Sequence, residues 1–228
     1  NLQQTHYELR GKISAMAADL ERHNHSILKL HLGNPGLFGL STPPELLEAI
    51  QKNLSRSQGY CDSKGLLSSR EAICEHLINQ GAHNVHTERT YIGNGVSELI
   101  NIALGALLNP GDEVLLPQPV YPLWSAVTTL NGGVIRYYSC EEKNDWLPNI
   151  NHIEQQINSK TKAIVIINPN NPTGSVYPEH NIRAISQLAE KNQLVLFSDE
   201  IYADIIYPPH TFKSVASITK NTLAITFG

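Results

Sequence analysis

The sequence predicts an α/β protein, a mostly parallel sheet sandwiched by helices, with a helical arm at its N-terminus. Two stretches and the segment between them carry that reading. Residues 163–174 (AIVIINPNNPTG) and 194–202 (LVLFSDEIY) each open with an apolar run too short for a helix, the first of them rich in β-branched residues. Each then breaks into polar residues at its carboxyl end, the pattern of a parallel strand buried on both faces. Between them, residues 177–191 carry Pro178 near the first turn and Ile182, Ile185, Leu188 and Ala189 on one face. The unit reads strand, helix, strand, with a right-handed crossover. Ligands of open parallel sheets bind beyond the carboxyl ends of the strands. Asn168, Asn170 and Asn171 after the first strand, and Asp199, Glu200 and Tyr202 after the second, are therefore expected to face one crevice.

The remaining elements follow from the N-terminus. Leu9, Ile13, Met16, Ala17 and Leu20 recur at helical spacing and predict an amphipathic helix over residues 6–22, whose apolar stripe needs a second surface. Residues 27–32 read as a short strand running into the turn Gly33-Asn34-Pro35-Gly36. Thr42, Pro43 and Glu45 have the spacing of a capping box opening a helix that carries Leu46, Ile50 and Leu54. A loop, SQGYCDSKG, leads to a helix over about residues 66–80, stopped by Gly81. Residues 90–92 read as a strand feeding Gly93-Asn94-Gly95-Val96-Ser97 and a helix with Leu99, Ile100, Ala103 and Leu107. A glycine-containing turn at a helix N-terminus presents unpaired N–H groups to an anion such as phosphate. GNGVSE lacks the third glycine of a dinucleotide fingerprint, which argues against a nicotinamide cofactor. Asn109-Pro-Gly-Asp112 turns into a strand over 113–116 that ends in PQPVYPLW, where two prolines stiffen the backbone around Tyr121. A strand over 133–138, a helix over 150–157 and a last strand over 222–227 complete the pattern.

Composition narrows the function classes. With 228 residues, 41% hydrophobic, the chain can bury a full core. Seventeen basic against 21 acidic residues give a formal charge of -4, without a basic stripe, so neither nucleic acid nor an anionic membrane surface is an expected partner. No apolar run reaches the roughly 20 residues of a membrane-spanning helix, and NLQQTHYELR does not read as a secretory leader. A cytoplasmic location is expected. Cys61, Cys74 and Cys140 are odd in number and lack metal-ligand spacing, which fits reduced thiols. His23 with His25 and His83 with His86 lie in polar stretches without cysteines or acidic clusters and read as solvated side chains, not zinc ligands.

NPNNPTG followed by SDEIY, in that order and at this separation, resembles the fold-type I aminotransferases that use pyridoxal 5'-phosphate, and the bacterial alanine aminotransferases in particular. GNGVSELI, PVYPLW and QGYCDSKG extend the resemblance over nearly the whole chain. It implies that residues 1–40 are an arm and the start of a small domain, and 41–228 a large cofactor-binding domain lacking its C-terminal end. It assigns Gly95, Val96 and Ser97 to the phosphate cup, Tyr121 to the face of the pyridine ring, and Asn171 and Tyr202 to the cofactor's phenolic oxygen. Asp199 falls at the ring nitrogen, where a carboxylate favours the protonated, positively charged ring. Tyr60 would reach the cofactor phosphate of the other subunit of a homodimer, and the amide near Gly33 would contact the substrate carboxylate. Asn168 and Asn170 read as turn-shaping residues and Glu200 as structural. The implied activity is amino-group transfer between a small amino acid, alanine, and a 2-oxo acid, 2-oxoglutarate.

The resemblance also places the family's cofactor-linking lysine in a segment of pattern GLSK a few residues past LAITF. The chain, ending at Phe227-Gly228, is expected to match the N-terminal half or so of such an enzyme and to lack that lysine. Lys64, Lys213 and Lys220 are not expected to replace it. Two other readings stay open at this level: a pyridoxal-phosphate-dependent carbon–sulfur lyase, since the motifs serve the cofactor more than the substrate, and a non-catalytic module of the same fold.

Overall fold

The computed structural model describes Thr5, residues 11–30 and residues 33–228, and the chain packs as two compact units, Glu8–Ser63 and a larger one built on Lys64–Gly228. In the smaller unit, helix α1 spans Lys12–Arg22. Residues 6–10 of the expected helix, Leu9 among them, lie outside the described residues. Ile13 and Met16 are exposed on α1. Residues 25–30 adopt no regular structure, contrary to the strand expected over 27–32, whose last two residues lie outside the description. Pro35–Phe38 forms a 3-10 turn, and helix α2 spans Pro44–Asn53.

The capping box at Thr42 does not form. Pro43 is the N-cap and Pro44 the first helical residue, with no side-chain cap. A residue ahead of proline is driven towards extended backbone, so consecutive prolines move the helix start past Thr42.

In the larger unit, helix α3 (Leu67–Asn79) is stopped at Gly81, whose φ of +87° only glycine adopts cheaply. The strand expected over residues 90–92 is absent. Thr90 closes a 3-10 turn over Thr87–Arg89, and the Ile92 N–H bonds the Lys64 carbonyl at 2.9 Å, a single bond outside any ladder. Helix α4 (Gly95–Leu107) delivers the chain to strand β1 (Glu113–Gln118). Then come helix α5 (Pro122–Leu130), strand β2 (Val134–Ser139), helix α6 (Ile150–Gln156), strand β3 (Thr161–Ile167), helix α7 (Glu179–Lys191), strand β4 (Val195–Asp199), the short helix α8 (Val215–Ile218) and strand β5 (Ala224–Phe227). Helix α5 was not evident from sequence, although Pro122 at its first position is a standard opening signal.

Among the described residues the five strands form one parallel sheet in the order β2-β1-β3-β4-β5. Side-chain alternation divides the core into two layers. Leu115, Ile164, Ile166 and Leu196 pack with Ile153, Ile182, Ile185 and Ile218 from α6, α7 and α8. Val114, Leu116, Val165, Ile167 and Phe197 pack on the opposite face with Ile100 and Leu104 of α4 and Trp124 and Val127 of α5. The sheet is thus sandwiched by helices, and none of the described helices is long and apolar enough to cross a membrane.

At the amino end of the sheet, the buried carboxylate of Glu113 on β1 accepts from Arg136 of β2 at 3.0 Å and from the Asn158 amide at 2.7 Å. The Arg136 bond, and the Asn158 bond with it, hold the Glu113 pKa below the usual carboxylate range against the opposing effect of burial. A depressed carboxylate pKa contributes stability above the unfolded-state value that is lost as pH falls through the folded one. Glu113→Gln is expected to lower unfolding free energy at pH 7 by about 1–2 kcal/mol, the scale of a charge-assisted hydrogen bond. In urea titrations the gap from wild type should close as the carboxylate protonates below about pH 4; a gap constant from pH 7 to 3 would show that charge plays no part.

Candidate active site

The crevice at the carboxyl ends of β1, β3 and β4 is organised by Asp199, the last residue of β4. Strand alternation puts its side chain on the Phe197 face, towards α5. There the Trp124 indole N–H donates to Asp199 Oδ2 at 3.0 Å, a bond buried between residues 75 apart in sequence. Trp124, fully buried, is fixed by Phe197 and Phe227, with ring centroids 5.8 and 5.6 Å away. Asp199 Oδ1 receives one longer contact, 3.5 Å from the Ile201 N–H. Asp199 is 4% exposed, and burial raises its pKa, which the Trp124 and Ile201 donors pull back only in part. No basic side chain among the described residues pairs with it.

The loop after β3 is closed by two of its three asparagines. The Asn168 N–H donates to the Asp199 carbonyl at 2.9 Å, which extends the β3–β4 ladder, and Asn168 Oδ1 accepts from the Tyr177 N–H at 2.8 Å. Asn170 Oδ1 accepts from the Thr173 hydroxyl at 2.9 Å while its amide donates to the Tyr177 phenol at 3.2 Å. Both are buried, as turn-shaping residues should be, whereas Asn171 is half-buried at the same sheet edge. Tyr202 lies in the turn after β4 and is 39% exposed. Tyr121, half-buried, is the N-cap of α5, and its carbonyl accepts from the Trp124 backbone N–H at 3.1 Å.

Helix α4 packs on the Trp124 face and ends beside the start of β1, so it runs back from the carboxyl edge and its N-terminus points there. Gly95 has φ +75°, with open space where a Cβ would stand. Its own N–H donates to the Gly93 carbonyl at 2.9 Å, so the outward-facing donors of this turn are the amides of Val96 and Ser97 and the exposed Ser97 hydroxyl. Towards the carboxyl edge the larger unit thus carries a helix N-terminus with free amides, a half-buried aromatic ring, an amide, a phenol and a buried carboxylate that no cation pairs among the described residues. Among the described residues no group of three or more His, Cys, Asp or Glu is placed to hold a metal. Gly33 and Tyr60 belong to the smaller unit, where both are exposed.

Glu200, one residue on, points the other way. Its Oε1 accepts from the Ser198 hydroxyl at 2.8 Å and from the Val215 N–H at 2.9 Å, so it caps α8 and ties it to β4. The bond from Trp124 to Asp199 was not foreseen from the sequence, which assigned Trp124 no role. The available signal was chemical: a buried tryptophan needs an acceptor for its N–H.

The fold defines an α/β protein with a five-stranded parallel sheet flanked by helices and polar side chains gathered at its carboxyl edge. More narrowly, the sequence pattern of aminotransferase class I and II matches residues 25–227, and the chain belongs to that family. Glutamate-pyruvate aminotransferase AlaA of Haemophilus influenzae is 47% identical over 220 residues, which cover 96% of this chain and 54% of that protein. An alanine aminotransferase of Mycobacterium tuberculosis is 45% identical over 227 residues, 99% of this chain and 53% of that one. A crystal structure of an Escherichia coli aminotransferase superposes with a TM-score of 0.94 at 45% identity, covering 99% of this chain and 56% of the other. The chain spans about half the length of the curated relatives it matches.

The two adjacent carboxylates should separate in stability measurements. Glu200→Ala strands the Val215 N–H and the Ser198 hydroxyl and is expected to cost about 2–3 kcal/mol in urea unfolding. Asp199→Asn keeps an acceptor for Trp124 but removes a buried charge. A raised carboxylate pKa lends stability below the unfolded value that is lost as pH rises through the folded one. Asp199→Asn should therefore stabilise the cofactor-free chain at pH 7 and lose that advantage below about pH 4. A destabilised Asp199→Asn at pH 7 would contradict the burial argument.

Proposed function

We propose that the protein carrying this chain transfers an amino group between alanine and 2-oxoglutarate with pyridoxal 5'-phosphate, as a cytoplasmic homodimer. The observation that carries this reading is the buried Asp199 carboxylate at the end of β4, held by the neutral Trp124 donor and by no cation. A negative charge kept out of water without a partner is costly unless a cationic group is to meet it. The names of the relatives, glutamate-pyruvate aminotransferase and alanine aminotransferase, suggest the substrate pair.

The residues present fit pyridoxal phosphate, because the cradle at Gly95 leaves room where any other residue would place a Cβ. When bound, that group supplies a positively charged ring that takes up the electron pair left when an amino acid loses its α-proton. Asp199 holds the proton on the ring nitrogen by keeping a negative charge beside it. Asn171 and Tyr202 donate to the phenolic oxygen without adding charge. Tyr121 would stack on the face of the bound ring, a contact worth about 1 kcal/mol. Gly95, Val96 and Ser97 hold the phosphate at the positive end of α4. Tyr60 reaches the phosphate of the partner subunit, and the Gly33 amide binds the substrate carboxylate.

The reading is tested by assaying pyruvate formation from alanine. Transamination requires 2-oxoglutarate, whereas pyruvate and ammonia released from a cysteine-like substrate without any 2-oxo acid would mark a lyase. Asp199→Ala is expected to lower turnover by about 10²–10³-fold with the far-ultraviolet dichroism unchanged; near-normal turnover would leave Asp199 a structural residue. Sedimentation should return a dimer. A protein that stays monomeric at high concentration would remove the assigned role of Tyr60.

A further inference from the structure

We infer that Trp124 is a positioning residue for Asp199, and that residues 121–124 act as one rigid clamp which sets both the ring-facing tyrosine and the plane of the carboxylate. The inference rests on the proposed use of Asp199 against a ring nitrogen, and it adds a residue that the sequence motifs leave in the core. A carboxylate with a single strong donor is oriented by it. The indole occupies Oδ2 at 3.0 Å, while Oδ1 has only the 3.5 Å Ile201 contact. Oδ1 is therefore the oxygen left for a second donor in the crevice.

Three features make the indole a positioning group and not simply filler. Its ring is wedged by Phe197 and Phe227, themselves 5.9 Å apart, so the N–H direction is set by packing on two sides. Trp124 sits in the first turn of α5, opened by Pro122, and its backbone N–H donates to the Tyr121 carbonyl at 3.1 Å. Any rotation of the helix start moves the Tyr121 ring and the indole together. The donor is also neutral and cannot lose its proton in the working range. It favours the ionised carboxylate without supplying a positive charge, so the full attraction of Asp199 stays available to a cationic ring nitrogen. A lysine or arginine there would neutralise the carboxylate, and a phenylalanine would leave it free to rotate and easier to protonate.

These 228 residues hold two tryptophans, Trp124 and Trp146, and the indole N–H signal of each is assigned in a ¹H–¹⁵N spectrum by its substitution. The Trp124 signal should move with pH along the titration of Asp199, and Asp199→Asn should flatten that curve while leaving Trp146 unchanged. Trp124→Phe should raise the Asp199 carboxyl pKa, followed by carboxyl ¹³C shifts, whereas Phe227→Leu, which loosens the same aromatic cage but keeps the N–H, should move it far less. In the cofactor-loaded protein Trp124→Phe should lower kcat about tenfold or more, the kinetic equivalent of one hydrogen bond to a charged group, with little change in KM. If Trp124→Phe folds poorly, the Asp199→Asn spectrum decides alone. An indole signal indifferent to Asp199, or equal pKa shifts in Trp124→Phe and Phe227→Leu, overturns the inference even if the protein transaminates. A protein that binds no pyridoxal phosphate but retains the coupled titration overturns the proposed function and leaves the pairing intact.

Discussion

A carboxylate buried at the end of a parallel strand is expensive, and much of the larger unit can be understood as the means of tolerating one. Strand alternation sends Asp199 to the face covered by α4 and α5. The indole that meets it is held by the core itself, through Phe197 one residue-pair back on β4 and Phe227 in register with Asp199 on β5. Hydrophobic packing and the polar contact are therefore coupled: the aromatic cage that stabilises that layer also aims the N–H. One neutral hydrogen bond offsets only part of the desolvation, which is why the Asp199 pKa remains raised.

The asparagine loop applies the same economy to the neighbouring strand. An irregular segment at a sheet edge must find partners for its backbone and amide groups. The Asn168 backbone N–H and Oδ1 and both ends of the Asn170 amide do this internally, through Tyr177, Thr173 and the backbone of β4, while the buried Asn168 amide nitrogen has no partner among the described residues. With two asparagines engaged in closing the loop, Asn171 is carried on a backbone that its predecessors have fixed. The Tyr177 phenol is itself buried among Asn170, Cys140 and the apolar layer of α7, so the loop is anchored to the core.

Where the sequence was legible, the signal was local and periodic. The strands of the β3–α7–β4 unit, the stop at Gly81 and the opening of α4 are each set by residues within a few positions of one another, and they formed close to where expected. The failures have competing local causes. Consecutive prolines displaced the start of α2 from Thr42, and residues 90–92, although of strand-favouring types, spend their bonds on a 3-10 turn and on Lys64, with no strand beside them. The candidate site residues came from a resemblance to a family, and the contact that holds Asp199 was not among them. The pairing of Trp124 with Asp199 joins positions 75 apart, and no period or spacing encodes it. The ion pair of Glu113 with Arg136 was hidden for the same reason: it depends on the order of strands in the sheet.

Asp199 and Glu200 condense the physical argument into two adjacent residues. Both are buried, and burial raises the pKa of each. Glu200 is tied into the fold, its Oε1 accepting both a hydroxyl from its own strand and a backbone N–H of α8. Asp199, on the opposite face, has one strong donor and an oxygen with lone pairs to spare. A fold selected for stability alone would complete the second site as it completed the first, since a donor or an asparagine at that position would relieve the cost. The asymmetry between two chemically similar side chains, one satisfied and one held open, distinguishes a residue that supports the structure from one the structure supports.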